Sequence, residues 1–172
     1  MANTYPPIGG GDDITADLLM SMLPRIIVKS TATTRSNTTT FSDDPEMSMT
    51  LSANATYFVE FFLYYSAIDA EKFATKWTVP SGVTGNRSTL GPGSSANQAN
   101  MDNVSMRSGV HAFTTTGLYG TRNSSNQAFA YETGVLVTTS SGTVALQWTQ
   151  GTSGSTGTTL YNTSFMRVTR LA

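Results

Sequence analysis

The chain has 172 residues, 10 of them Lys or Arg and 11 Asp or Glu, for a net charge of −1, and it has no cysteine. That length suits one domain burying about 70% of its unfolded surface, and the missing Cys removes disulfides, thiol catalysis and Cys-ligated zinc. The balanced charge leaves no footprint for nucleic acid and no basic face for a membrane.

Residues 1–11, MANTYPPIGGG, carry too much Pro and Gly to form a helix or strand. They show neither the basic nor the apolar region of a signal peptide. Tyr5, Pro6, Pro7 and Ile8 are a compact apolar cluster, read either as a disordered terminus or as a docking arm that orders on a partner. A helix follows from Asp12 to Pro24. Asp12, Asp13 or Thr15 can cap it, Asp17 suits its positive end, and Pro24 stops it. Ile14, Leu18, Leu19, Met22 and Leu23 share one face. About two and a half turns do not stand alone in water, so this face needs the chain's own sheet, another subunit or a larger particle. Residues 1–24 thus read as an attachment segment and 25–172 as a β knob.

Ile26 to Val28 begins the first strand, and 32–40 is polar and turn-like. Asp43, Asp44 and Glu46 gather before an alternating run of Met47, Met49 and Leu51. Their spacing does not match a calcium loop, so they read as an acidic turn. The most apolar run is TYFVEFFLYY, Thr56 to Tyr65. Tyr57, Val59, Phe61, Leu63 and Tyr65 form one face; Phe58, Glu60, Phe62 and Tyr64 form the other. One face can meet the opposite sheet of a sandwich. The other must also be covered, because an open aromatic face invites aggregation, and this predicts an oligomer. Glu60 on such a face needs a partner, an Arg or backbone N–H.

Lys72 to Val79 alternates as a strand and ends at Pro80-Ser81-Gly82. From there to about residue 128 the chain reads as loop-heavy, with one or two strands between 101 and 113. Tyr131, Thr133, Val135 and Val137 alternate, as do Val144, Leu146 and Trp148. The Ser140-Ser141-Gly142 link between them predicts a hairpin. Gly151 to Gly157 is a loop, and two further strands run to Leu171. Trp77, Leu146 and Trp148 lie mid-strand and are expected in the core, although the two Trp rings could instead form a sugar-stacking platform. Arg167 and Arg170 fall on opposite faces of the last strand, so one can meet an acid inside an interface.

His111 is the only histidine, and no nucleophile elbow accompanies it. Gly151 to Gly157 lacks the Lys and the following helix of a phosphate loop. These observations predict no catalytic residue, no metal site and no cofactor, hence a non-enzymatic protein.

The segments ITADLLMSMLP, DDPEMSMTLSANATYFVEFFLYYSA, KWTVPSG and GVLVTTSSGTVALQWTQGTSGSTGTTLYNTSFMRVTRL together resemble small virion proteins of tailed bacteriophages, those of actinobacterial hosts above all. The similarity covers Ile14 to Leu171. It is most specific at Leu146 to Gln150 and Leu160 to Leu171, and weak from Thr84 to Ala128. Such proteins are described as capsid decoration, head-fibre or minor tail proteins. The resemblance implies an antiparallel jelly-roll-like β-sandwich, similar to trimeric knobs of the tumour-necrosis-factor and complement-head type, and brings no catalytic residues. It implies a homotrimer on the virion surface, assembled in the host cytoplasm. Tyr57, Phe61 and Tyr65 would lie near the three-fold axis. Tyr5 to Ile8 with Ile14, Leu18, Leu19 and Met22 would dock on a major capsid protein. A tail position would instead have the knob bind host surface glycans.

Overall fold

The computed structural model describes residue 6, residues 8–101 and residues 106–172. Among the described residues one helix, α1 (Ala16–Ser21), precedes twelve strands. These are β1 (Arg25–Val28), β2 (Thr33–Arg35), β3 (Ser42–Leu51), β4 (Ala55–Ser66), β5 (Phe73–Thr78), β6 (Thr84–Pro92), β7 (Met106–His111), β8 (Gly117–Tyr119), β9 (Ala128–Thr138), β10 (Gly142–Gln150), β11 (Thr158–Leu160) and β12 (Phe165–Arg170). The long sheet runs β1-β12-β4-β9-β6-β7, with β11 joining β4 to β2, and the short sheet runs β3-β10-β5-β8. Neighbouring strands are antiparallel throughout.

The pairing is nested. β1 pairs with β12, β3 with β10, β4 with β9 and β5 with β8. The two halves of the chain therefore run against each other as one long ribbon, which wraps over itself into two facing sheets. That is a jelly roll, the all-β sandwich expected from the alternating runs. The β6-β7 hairpin is an insertion that widens the long sheet beyond β9. It occupies the stretch expected to be mostly loop.

Two local expectations are corrected. Ser140 to Gly142 does not close a hairpin: β9 lies in the long sheet and β10 in the short one. Strands facing each other across a core alternate just as strands lying side by side do, so periodicity cannot separate the two cases. The crossing is held at the sandwich rim, where Ser140 Oγ donates to the Ser81 carbonyl at 2.9 Å. The second correction concerns the acidic segment, which lies inside β3 rather than before it. Asp43 pairs with Gln147 and Ser48 with Ala145, with a register shift between. Pro45 sits in that irregular stretch, where a missing N–H costs no ladder bond.

The core between the sheets holds Trp77, Leu146 and Trp148, all buried, with Met47, Leu51, Phe61, Leu63 and Tyr65. The carboxylates of Glu132 and Asp44 are buried with them. Glu132 of β9 accepts from Thr75 Oγ1 at 2.5 Å, Tyr119 OH at 2.6 Å and Trp77 Nε1 at 2.6 Å, and it pairs with Arg87 of β6. Arg87 also donates to the carbonyls of Thr115 (2.6 Å) and Thr75 (3.1 Å). Gly134 makes room for this arrangement, because a Cβ there would stand 3.0 Å from the Trp77 ring. Asp44 of β3 accepts from Lys29 Nζ and from Trp148 Nε1, each at 3.0 Å. Next to it, the Glu46 carboxylate accepts from Ser30 Oγ at 2.6 Å, Ser30 N at 2.7 Å and Thr31 N at 3.1 Å. The Ser30 side-chain and backbone bonds hold Glu46 down from its ordinary 4.5 to about 2.

Three outcomes follow for stability. Trp148→Ala should cost about 3–5 kcal/mol in chemical denaturation, the range for removing a buried aromatic ring. Glu132→Leu or Arg87→Met alone should each cost about 3–5 kcal/mol, since each strands a buried charge. The double variant should cost clearly less than the sum, and additive losses would show that the two groups are not coupled. Glu46 has its folded value below its unfolded one, so its contribution is present in full above pH 4.5 and is lost as the pH falls towards 2. Glu46→Gln should flatten the pH dependence of stability in that window, measured by urea melts at successive pH values.

Candidate assembly surface

β4 is the centre of the long sheet, and its two aromatic faces have different fates. Tyr57, Phe61 and Tyr65, expected at a three-fold axis, are buried within the chain itself. Phe61 packs edge-on against Trp77 with ring centroids 4.9 Å apart, and Tyr65 stacks on Phe73 at 4.3 Å. Tyr57 OH accepts from Ser52 N at 3.0 Å, and Tyr65 OH donates to the Gly120 carbonyl. These side chains have no surface to offer another copy, and the expectation is corrected: the inward face is the odd-numbered one. The reason lies on the neighbouring strand, where Ala128, Ala130, Glu132 and Leu136 point inward and meet the odd residues of β4 across the register.

The even face of β4 looks outward and continues across six strands. One cross-strand row reads Val28, Phe165, Phe62, Tyr131, Leu90 and Ser108. The next reads Ile26, Arg167, Glu60, Thr133, Ser88 and Val110. A third carries Thr169, Phe58, Val135 and Asn86. Phe62 lies parallel to Phe165 (5.6 Å between centroids) and to Phe129 (5.9 Å), and Tyr64 meets it edge-on at 5.1 Å. Ile26, Val28, Leu90, Met106, Val110, Phe129, Val135 and Val137 are all exposed. A patch of this kind is larger than the scattered apolar residues of an ordinary surface.

Only two charges stand on those rows, and they satisfy one another. Arg167 Nε donates to Glu60 Oε2 and Tyr131 OH donates to Glu60 Oε1. Glu60 is 4% exposed although it points away from the core, because the aromatic side chains around it stand higher than a carboxylate. Burial alone pushes its carboxyl upward; the bonds from Arg167 and Tyr131 outweigh that and bring it below the usual range. Tyr131 is pushed up to about 12 by burial and by its bond to Glu60. The Glu60 partner expected from the sequence is thus Arg167 of the last strand. The face is also not flat. An open groove of about 410 Å³ lies among Ser88, Leu90, Ser108, Val110, Tyr131 and Thr133, and another of about 380 Å³ lies beside Phe58, Asn86, Val135 and Val137.

The described residues expected to dock the knob precede β1, the edge strand of the long sheet. Thr15 caps α1 by accepting from Leu18 N at 3.1 Å, and no residue of the helix is buried. Ile8, Ile14, Leu19 and Met22 are exposed, while Pro6 and Leu18 are partly covered. Tyr5 and Pro7 lie outside the described residues. The helix leads through Pro24 into β1, whose Ile26 and Val28 end the two rows.

Among the described residues no three His, Asp or Glu side chains gather as a metal ion needs. Asp44 and Glu46 are already engaged by Lys29, Trp148, Ser30 and Thr31. His111, on β7, stands 3.3 Å from Arg107 and has its pKa lowered by burial and by Arg107. Trp77 and Trp148 are too deeply buried to stack on a sugar.

No protein-family model and no curated protein matches the chain. Among solved structures, the tripod (BppUct-A-L) from the baseplate of bacteriophage Tuc2009 aligns with 99% of this chain and 76% of its own, at 13% identity and a TM-score of 0.40. A chain of infectious bursal disease virus, Gx strain, aligns with 97% of this chain and 43% of its own, at 10% identity and a TM-score of 0.20. The Gt strain gives 98% and 45%, at 11% identity and the same TM-score.

Proposed function

We propose that this chain is a non-enzymatic structural protein of a bacteriophage virion: a homotrimeric jelly-roll knob that decorates the capsid and docks through residues 1–24. The observation that carries the reading is the bare apolar side of the N-terminal segment. Leu19 on the helix and Ile8, Ile14 and Met22 flanking it are exposed, and no residue of the helix is buried. A helix of six residues does not hold itself together in water, so its stability must come from something it packs on. The resemblance of Ile14 to Leu171 to small phage virion proteins supplies the kind of partner, a major capsid protein. Three arms on one rigid knob would bind a lattice with avidity, because after the first arm docks the others search a small volume.

A second reading, a minor tail or receptor-binding protein that contacts host glycans, draws on the rim loop from Gly151 to Gly157. Its exposed residues are hydroxyl-bearing or Gly, yet it is held firmly. Gln150 Oε1 accepts from Gly154 N at 3.2 Å, Glu71 Oε1 accepts from Thr156 N at 3.0 Å, and Gln150 Nε2 donates to Glu71 Oε2 at 2.7 Å. A pre-ordered polar loop loses little entropy on meeting a sugar.

The deciding experiment is cryo-electron microscopy of virions with and without the protein, followed by add-back. Full-length protein should restore density over the head lattice, and protein lacking residues 1–24 should stay folded by circular dichroism but fail to bind. Density confined to the tail would favour the second reading. Binding by the truncated protein would remove the arm from the mechanism.

A further inference from the structure

We propose that the outer face of the long sheet is a self-association surface, covered in the working protein by a second copy of this chain. The proposal rests on the reading of the protein as an oligomeric knob and names the face that makes it one.

Size is the first argument. Six strands at about 4.8 Å spacing span roughly 24 Å, and an average strand of about eight residues runs about 26 Å. The face is therefore on the order of 600 Å² in projection and presents about twenty outward side chains. A standard interface takes about 800 Å² of accessible surface and 20–30 residues from each partner. The face is thus sized for another folded domain, more than for a peptide or a small molecule.

Charge is the second. The three rows carry one acid and one base, Glu60 and Arg167, already joined through Arg167 Nε with Tyr131 as a further donor. A charged partner surface would be desolvated here with nothing to answer it, which costs several kcal/mol per ion. A neutral, aromatic and hydroxyl-bearing surface fits, and this same face is one. The half with Val28, Phe165 and Phe62 carries stacked aromatic rings. The other half, with Leu90, Ser108, Val110 and Thr133, carries the open groove. Ring-bearing half against grooved half is a head-to-tail contact, the kind that closes rings such as trimers. The Glu60–Arg167 pair, at the centre of the face with 43% of the Arg167 side chain still exposed, would be sealed by the contact and fix its register.

The test is sedimentation equilibrium on the full chain with Val135→Lys and Phe62→Glu, each checked by circular dichroism. Val135 is exposed on its own strand, so Val135→Lys should leave the fold intact. Wild type should be an oligomer at micromolar concentration, and both variants should weaken association at least 100-fold. Thr143→Lys, at an exposed position on β10 of the short sheet, should not. If wild type is an oligomer and folded Val135→Lys associates equally well, the face is wrong while the oligomeric knob stands. If wild type is a monomer at tens of micromolar, the oligomeric reading falls and the proposal falls with it.

Discussion

Glu132 sits in the middle of the sandwich with all its acceptor directions in use, and much of the architecture follows from it. Its carboxylate belongs to the long sheet, and three of its four donors, Thr75, Trp77 and Tyr119, belong to the short one. The fourth, Arg87, brings in β6. A buried ion pair is weak evidence of net stability, because desolvation offsets most of the attraction. What this one does well is exclude alternatives. A one-residue slip of β9 would turn Glu132 to solvent and leave Arg87 buried without a counter-charge. The register of β9 sets the faces of β4 and β6, and so determines which aromatic residues are core and which are surface.

The outer face is the other side of that constraint. Once Glu132, Leu136 and the alanines of β9 point inward, Phe129, Tyr131, Val135 and Val137 must point outward. β4 then shows Phe58, Phe62 and Tyr64, and β12 shows Phe165. A sheet with one side solvated normally alternates apolar with charged residues. Here the chain's ionisable groups work elsewhere: Lys29, Asp44 and Glu46 tie β3 to the end of β1, and Glu71 ties down the rim loop. The outer rows keep only a pair that neutralises itself.

The strands were legible where alternation was strong. The buried Trp77, Leu146 and Trp148 could be read from β5 and β10, and the need of Glu60 for a partner, an Arg or a backbone N–H, could be read from its aromatic neighbours. The sign of β4 could not, because both its faces are aromatic and the choice is made by β9, some seventy residues away. β6 is hidden in the sequence for a related reason. Asn86-Arg87-Ser88-Thr89 has little strand propensity, and Arg87 becomes an inward strand residue only because Glu132 waits for it. Propensity is local, whereas this strand is held by tertiary contacts. The Ser140–Gly142 link shows the same limit, since spacing cannot tell a turn within one sheet from a corner between two.

The nesting of the strands also joins the N-terminal segment to the outer face of the long sheet. β1, which receives the chain from α1, is an edge strand whose ladder partner is β12, the last strand. β12 is held in turn by β4, and the end of the chain is pinned where Leu171 N donates to the Thr56 carbonyl at 2.7 Å and Thr56 N donates to the Ala172 carbonyl at 2.9 Å. β1 is therefore tied through β12 to β4, the strand at the centre of the aromatic face. Ile26 and Val28 belong both to the strand that anchors the arm and to the rows of that face. Covering the face would bury these two side chains, which are exposed on the edge strand from which the helix departs.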